Sequence, residues 1–466
     1  MMIAGALAEM VIGGAAVVAV LGVTVIGGAA VVAVLGVMVI GGAAVVAVLG
    51  VMVIGGAAAA RAVLAGAAAV AATGDRRGPS ATISTTRGRL PPRPNRASGR
   101  VVSSMRMEFL RSDLSDISVY KPGPPLSELS RRFGFDLDSL VEVATNENPY
   151  QPLEEVREVM ARAVLGVNRY PDINAPELGA ALAGHLGVGV ENLWCGAGSS
   201  ELIRLIALAV GGPGREAVFG WPSFAMYPLC TRFAMMTPVT VPLTAGHGLD
   251  PDGILSAIGP DTVLVYVCNP NNPSGTYLAS GDVLRLIEEV PERVLVVMDE
   301  AYHEYATASD YRGTVAEAAE RPNLVTLRTF SKIYGMAAMR VGYAVGSPET
   351  LRQLRKVQSP FTVSSVGQAG ATEALRHQDR IAERVAENAR ERDRIQRGLV
   401  DLEIPRIESQ GNYIYFTVGL DSQQTAESFL RHGVRLRAYP GDWARVTVGT
   451  PEENDRFLAA AAEIGR

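Results

Sequence analysis

The chain has 466 residues and a 48% hydrophobic content, too long for one core and suited to two or three packed units. With 43 basic and 48 acidic side chains the formal net charge is −5, which excludes a surface built to neutralise a phosphate backbone, and nucleic acid drops out as a partner. Three scattered cysteines, Cys195, Cys230 and Cys268, form neither a disulfide framework nor a metal-ligand cluster; a reducing compartment and a cytoplasmic location are expected.

The first stretch, residues 1–74, is an apolar repeat extension. From Val11 a unit of about fourteen residues, VIGGAAVVAVLGVT, begins again at Val25, Val39 and, in decayed form, Val53. No charge lies between Glu9 and Arg61, so by length alone the run suffices for one long or two short membrane-spanning helices. Its glycines and β-branched valines weaken helix propensity, and no polar turn marks a hairpin. A signal peptide fits poorly, because the run is too long and no basic segment precedes it. Two origins stay open: a passive product of repeat expansion or upstream translation, and a membrane-associating segment. Membrane contact, if any, is confined to these residues. Residues 75–111 then turn rich in arginine, proline and small polar side chains, as in DRRGPSATISTTRGRLPPRPNRASGR, and read as a disordered linker; Met105 and Met107 near its end are alternative starts.

The body, residues 112–466, alternates short apolar runs with amphipathic stretches, the pattern of an α/β fold with a mostly parallel central sheet covered by helices. Strands are expected at Ala217–Gly220, Thr262–Cys268, Val294–Met298, Leu324–Leu327 and Val341–Val345. Ligands of such sheets bind beyond the carboxyl ends of the strands, so the residues after these runs carry the interest.

Four places stand out there. Gly196-Ala197-Gly198-Ser199-Ser200-Glu201 opens a helical run, where free amides attract an anion, although Ser199 or Ser200 could equally cap the first turn. Asn269-Pro270-Asn271-Asn272-Pro273 imposes a rigid extended turn with amides available to the crevice. Asp299-Glu300-Ala301-Tyr302 sets a carboxylate at the end of an apolar strand, where desolvation is costly without a cation, or where it could cap a helix. Thr329-Phe330-Ser331-Lys332 holds one of only three lysines in the chain; Lys121 lies in a Pro/Gly-rich stretch and Lys356 on a polar helix, whereas Lys332 follows a strand. A partly desolvated amine there can condense with a carbonyl. An acid for a ring nitrogen, an amine for an aldehyde, and an anion cradle joined by Arg340 together describe pyridoxal 5′-phosphate.

From about Leu114 to the C-terminus these motifs, with Asn146-Glu147-Asn148-Pro149-Tyr150, Asn168-Arg169-Tyr170-Pro171-Asp172 and Arg445-Val446-Thr447-Val448-Gly449-Thr450, resemble the fold-type I aminotransferases of classes I and II, and within them the histidinol-phosphate aminotransferase branch. The resemblance implies a homodimer with a large cofactor domain over 161–360, a small α+β domain over 361–466, and residues 112–160 as an arm plus part of the small domain. It implies that Lys332 attaches the cofactor and moves the proton, that Asp299 keeps the ring nitrogen charged, and that Asn272 and Tyr302 bond the ring hydroxyl while Phe224 stacks on the ring. Gly198, Ser199, Thr329, Ser331 and Arg340 would hold the phosphate, joined across the dimer by Tyr170. Arg445, with Asn148 and Arg437, would bind substrate, although Arg437 could equally be a solvated surface residue. Histidinol phosphate with 2-oxoglutarate is the expected substrate pair; an aromatic amino-acid aminotransferase or a threonine-phosphate decarboxylase is the alternative. The segment from Arg437 to Arg445 is a few residues shorter than in the family and lines the substrate end, so reaction type is better fixed than substrate. The five histidines, His185, His247, His303, His377 and His432, show no ligand spacing, and no metal is expected.

Overall fold

The computed structural model describes residues 2–12, 15–26, 29–40, 43–55, 110–117, 126–134, 136 and 139–465. The chain divides into two compact units, Met1–Ser104 and Met105–Arg466. In the first, β1 (Met2–Ile12), β2 (Ala15–Ile26), β3 (Ala29–Ile40) and β4 (Ala43–Gly55) pair in sequence order as an antiparallel meander. Strands thus stand in place of the membrane-spanning helices that the length of the run alone would permit, in keeping with its weak helix propensity. The registers close on Ile12↔Ala15, Ile26↔Ala29 and Ile40↔Ala43, and the two residues between each pair are Gly-Gly. Two-residue hairpin connections favour glycine because they require positive φ, so no polar residue is needed, and the Val/Ile content favours strand over helix. Among the described residues no helix is long and apolar enough to cross a membrane. Residues 56–74 of the extension, the linker expected over 75–111 up to residue 109, and the alternative starts at Met105 and Met107 lie outside the described residues.

In the second unit the short helices Ser112–Asp116 and Leu126–Phe133 come first, then a short strand, β5 (Val141–Glu142), ahead of the main sheet. That sheet is built from β6 (Leu193–Gly196), β7 (Glu216–Trp221), β8 (Thr237–Pro242), β9 (Thr262–Cys268), β10 (Leu295–Asp299), β11 (Leu324–Thr329) and β12 (Gly342–Gly346). Its order is β6-β12-β11-β10-β9-β7-β8. All neighbours run parallel except β12, which is antiparallel to both β11 and β6. Of the expected strands, Thr262–Cys268 keeps its bounds and the others shift by only one or two residues at an end.

Both faces of the sheet are covered, which is why its strands are continuously apolar. Alternate residues feed two cores: Val296, Met298 and Leu324 face one, and Leu295, Val297, Val325 and Leu327 the other. After the sheet come the 24-residue helix Gln378–Asp401 and five short strands: β13 (Arg406–Ile407), β14 (Tyr413–Thr417), β15 (Val434–Arg435), β16 (Arg437–Ala438) and β17 (Trp443–Thr447). Four of them form the antiparallel sheet β13-β14-β17-β16, while β15 pairs with β5, so the segment around Val141 packs with the C-terminal part in a third core that includes Phe416, Phe429 and Phe457.

Candidate active site

The strand ends bring the chemistry together. Asp299 and Thr329 are the last residues of β10 and β11, and the pairings Thr329↔Gly342 and Gly342↔Gly196 set the end of β11 beside the start of β12 and the end of β6. Lys332 lies in the connection from β11 to β12, which has no crossover helix to carry it away.

A cavity of about 340 Å³ is lined by Ser199, Phe224, Cys268, Asn272, Asp299, Tyr302, Thr329, Ser331, Lys332 and Arg340. A second, of about 610 Å³, adds Trp221, Tyr415, Arg437, Tyr439 and Arg445. The two share Thr145, Ser200, Phe224, Asn272, Tyr302 and Lys332, and so form one cleft.

Asp299 is 2% exposed and accepts hydrogen bonds from the Tyr227 hydroxyl at 2.7 Å and the Ala301 amide at 3.2 Å. Burial pushes its carboxyl up to about 6, against the lowering effect of those donors. Lys332 donates from Nζ to the Asn146 carbonyl at 3.0 Å and lies 5.6 Å from the centre of the Tyr302 ring. Burial, then the positive charge of Arg445, bring its amine down to about 8. The Tyr302 hydroxyl accepts from the side-chain amides of Asn146 at 2.9 Å and Asn272 at 3.3 Å, which orients it towards the cleft. The site therefore holds a base close to neutrality and, across the same cavity, a buried acid that ionises readily if a cation is placed beside it.

The anion cradle rests on two glycines. Gly198 precedes the helix Ser199–Val210 with φ 81° and ψ 161°, and a Cβ there would stand 2.6 Å from Nη2 of Arg340. A Cβ on Gly342 would stand 2.5 Å from the Ser199 amide nitrogen, so β12 approaches this loop closely because it has no side chain there. No side chain caps the helix, which leaves its first amides available to an anion; capping by Ser199 or Ser200 is not what the structure has. Thr329 Oγ1 bonds Ser331 Oγ at 2.9 Å and Arg340 Nη1 reaches the same Ser331 oxygen at 3.3 Å, so two hydroxyls and a guanidinium converge opposite those amides.

At the other end of the cleft Arg445 is 6% exposed, bonded to Asn272 Oδ1 and to the Ala144 carbonyl at 2.6 Å, with its Nε buried and without a hydrogen-bond partner among the described residues. Tyr413 and Tyr439 flank its guanidinium. Arg437 is paired with Arg445 across β16 and β17 and lines the cleft; among the described residues nothing forms an ion pair or side-chain hydrogen bond with it.

Two expected site residues stand elsewhere. Asn148 donates to the Ile333 carbonyl at 2.8 Å, accepts from the Tyr150 amide at 3.0 Å and borders a different, smaller pocket, so both ends of its side chain are engaged in structure. Asn146, with φ 54°, is the asparagine of that motif that faces Tyr302 and Lys332. Tyr170 is 83% exposed and stacked on Phe361, away from the cleft of its own chain. Sequence reasoning also missed Tyr227, which looks like an ordinary core aromatic on a short helix; its spacing after Phe224 offers a weak signal at most. Among the described residues no group of three or more His, Cys, Asp or Glu is placed to hold a metal ion.

The donor set suits pyridoxal 5′-phosphate: a phosphate matches the uncapped helix start, the hydroxyls and Arg340, a pyridinium matches Asp299, and an aldehyde matches Lys332. The protein-family model for aminotransferases of class I and II matches residues 138–460. An aromatic amino acid aminotransferase from Rhodococcus jostii is 42% identical over 353 residues, covering 75% of this chain and 94% of that protein. Histidinol-phosphate aminotransferase 2 from Nitrosospira multiformis is 39% identical over 350 residues, covering 74% of this chain and 89% of its own. The crystal structure of histidinol-phosphate aminotransferase from Sinorhizobium meliloti in complex with pyridoxal-5′-phosphate superposes with a TM-score of 0.71 at 28% identity, covering 78% of this chain and 99% of that one. This chain belongs to the class I and II aminotransferases, pyridoxal 5′-phosphate-dependent enzymes of fold type I.

Proposed function

We propose that this enzyme transaminates aromatic amino acids against a 2-oxo acid. The observation that carries the proposal is the wall of the larger cavity, where Trp221, Phe224, Tyr302, Tyr415 and Tyr439 surround the buried Arg445. A flat aromatic side chain gains offset and edge contacts from such walls, while an α-carboxylate meets the guanidinium. The name of the Rhodococcus jostii relative supports the same substrate class.

When bound, the cofactor supplies a ring that takes up the electron pair left on the substrate Cα. Lys332 is the attachment point and the proton carrier, its Nζ steered by the Asn146 carbonyl. Asp299, held by Tyr227, would keep the ring nitrogen protonated. Asn272 and Tyr302 would bond the ring hydroxyl, Phe224 would cover the ring face, and the Gly198–Ser199 cradle with Thr329, Ser331 and Arg340 would hold the phosphate.

Histidinol phosphate is the second candidate, favoured by the guanidinium of Arg437 in the same cavity, which has no ion-pair partner among the described residues and could take a phosphate. A half-reaction screen separates the two. Holoenzyme is mixed with phenylalanine, tyrosine, glutamate or histidinol phosphate and conversion of the cofactor is followed by absorbance. Phenylalanine and tyrosine should react fastest, and Arg437→Ala should slow histidinol phosphate alone. Reaction with histidinol phosphate only would transfer the assignment to the second candidate, and no reaction with any of the four would remove both.

The proposal includes a homodimer in the cytoplasm. Leu165 at 87% exposure, Tyr170 at 83% and Val167 at 60% form an apolar surface that a second copy would cover, placing Tyr170 at the partner's phosphate cradle. Light scattering at micromolar concentration tests it; a monomer with full activity would contradict it.

A further inference from the structure

Behind Asp299 and Thr329, on the opposite face of the sheet, lies a buried ion pair between Glu300 and Arg328. Side chains alternate along a strand, so Asp299 and Thr329 face one core while Glu300 and Arg328 face the other. Glu300 is 1% exposed and Arg328 6%. Arg328 donates from Nε at 3.0 Å and Nη2 at 2.8 Å to the same Glu300 oxygen, Oε2. The other oxygen accepts from the Thr314 amide at 2.6 Å and the Thr314 hydroxyl at 2.8 Å, and that hydroxyl bonds Thr326 of β11 at 2.7 Å. The loop passes close because residue 313 is glycine: a Cβ there would stand 2.8 Å from Glu300 Oε2.

The position of this pair along the strands matters. The β10–β11 pairing ends at Asp299↔Leu327, with a last backbone bond from the Glu300 amide to the Leu327 carbonyl at 2.9 Å. Beyond it no backbone bond ties the two strand ends, yet these ends carry the ring-nitrogen acid and a phosphate hydroxyl. The Glu300–Arg328 pair bridges the strands one step past the ladder.

We propose that Glu300 and Arg328, latched by Thr314, are positioning residues that fix the separation between Asp299 and Thr329 and so the fit of the cofactor. This rests on the proposed roles of Asp299 and Thr329. Neither residue of the pair touches the cleft; the pair acts through its sequence neighbours. Buried pairs of this kind contribute little net stability compared with apolar substitutes, so a positional role explains its presence better than a stabilising one.

The charges also reach Asp299. That carboxyl is faced by Tyr227, Cys268, Lys332 and Tyr302, with Glu300 beside it raising its proton affinity; Glu300 in turn is faced by Arg328, His303, Glu304 and Tyr311, and Arg328 also by Glu304 and Tyr343. Removing the anion should therefore move the Asp299 titration down, and removing the cation, which leaves the Glu300 charge uncompensated, should move it up.

The test uses Arg328→Met, Glu300→Gln and the gentler Arg328→Lys and Thr314→Val, prepared as apoprotein and reloaded with pyridoxal 5′-phosphate, with Arg340→Ala as reference. Readouts are the cofactor Kd and the pH midpoint of the holoenzyme's absorbance change on the acid side. Loosening either anchor weakens charge-assisted hydrogen bonds to the cofactor, so each variant of the pair should weaken cofactor binding by about tenfold or more. The acid midpoint should rise in Arg328→Met and fall in Glu300→Gln, each by about half a unit or more. Opposite shifts cannot come from a shared loss of stability. If Arg328→Met or Glu300→Gln does not fold, Arg328→Lys and Thr314→Val decide through Kd: unchanged affinity in both overturns the inference. Unchanged Kd in Arg340→Ala overturns instead the site assignment beneath it.

Discussion

Replacing Gly198 by alanine should cripple cofactor binding through a single methyl group. The residue has φ 81° and ψ 161°, a region open essentially to glycine alone, where another residue costs about 1–3 kcal/mol. The new Cβ would stand 2.6 Å from Arg340 Nη2, closer than carbon and nitrogen tolerate. The loop cannot retreat, because the Gly342 backbone packs against Gly198 and Ser199. Arg340 is exposed and flexible, so the side chain will give way and leave Ser331, its 3.3 Å partner in the cradle. Losing one charge-assisted bond to the phosphate costs about 1.5–3 kcal/mol, or roughly a ten- to hundredfold rise in Kd. The assay is titration of apoprotein with the cofactor for Gly198→Ala, Arg340→Ala and the double variant. If the alanine acts by expelling Arg340, removing Arg340 from the Gly198→Ala protein should change Kd little. Fully additive losses, or an unchanged Kd in Gly198→Ala, would refute the reasoning.

Three further outcomes follow from the same geometry. Gly342→Ala drives a methyl into the Ser199 amide, a backbone contact that cannot rotate away; about 1–3 kcal/mol of stability should be lost, read as a lowered Tm with or without cofactor. Asp299 has its carboxyl raised from 3.8 to about 6 by burial, so between those values the folded apoprotein binds a proton that the unfolded chain has released. Apoprotein stability from this group therefore grows as pH falls from about 7 towards 4, and Asp299→Asn should abolish that gain; parallel Tm-versus-pH curves would count against it. Lys332, brought down to about 8, should be acetylated in the apoprotein with a midpoint near that pH, with the exposed Lys356 as the reference amine. One common pH profile for both would remove the claim of a tuned amine.

Much of this site could be read locally in the chain. Each apolar strand run ends in the residues that line the cleft, so Asp299, Thr329 and Lys332 follow from strand periodicity and the crevice rule, and the scarcity of lysine narrows the amine to one. What stayed hidden depends on pairing between distant segments. The antiparallel placement of β12, which sets Gly342 against the Ser199 loop, cannot be inferred from an apolar run that would fit a parallel strand equally well. Asn146 and Asn148 differ by only two residues, and only the left-handed backbone at Asn146 decides which one enters the cleft. Tyr227 and the Glu300–Arg328 pair act through contacts across 72 and 28 residues, respectively. In the first unit, periodicity alone left helix and strand open; paired registers separated by Gly-Gly settle it.

The most direct test of the site's chemistry is to reduce the holoenzyme with borohydride, digest it and locate the cofactor by mass spectrometry. The account predicts a reduced pyridoxyl group on the peptide containing Lys332 and on no other lysine, with the label lost in Lys332→Ala. A label on Lys121 or Lys356, or one that persists in Lys332→Ala, would contradict it.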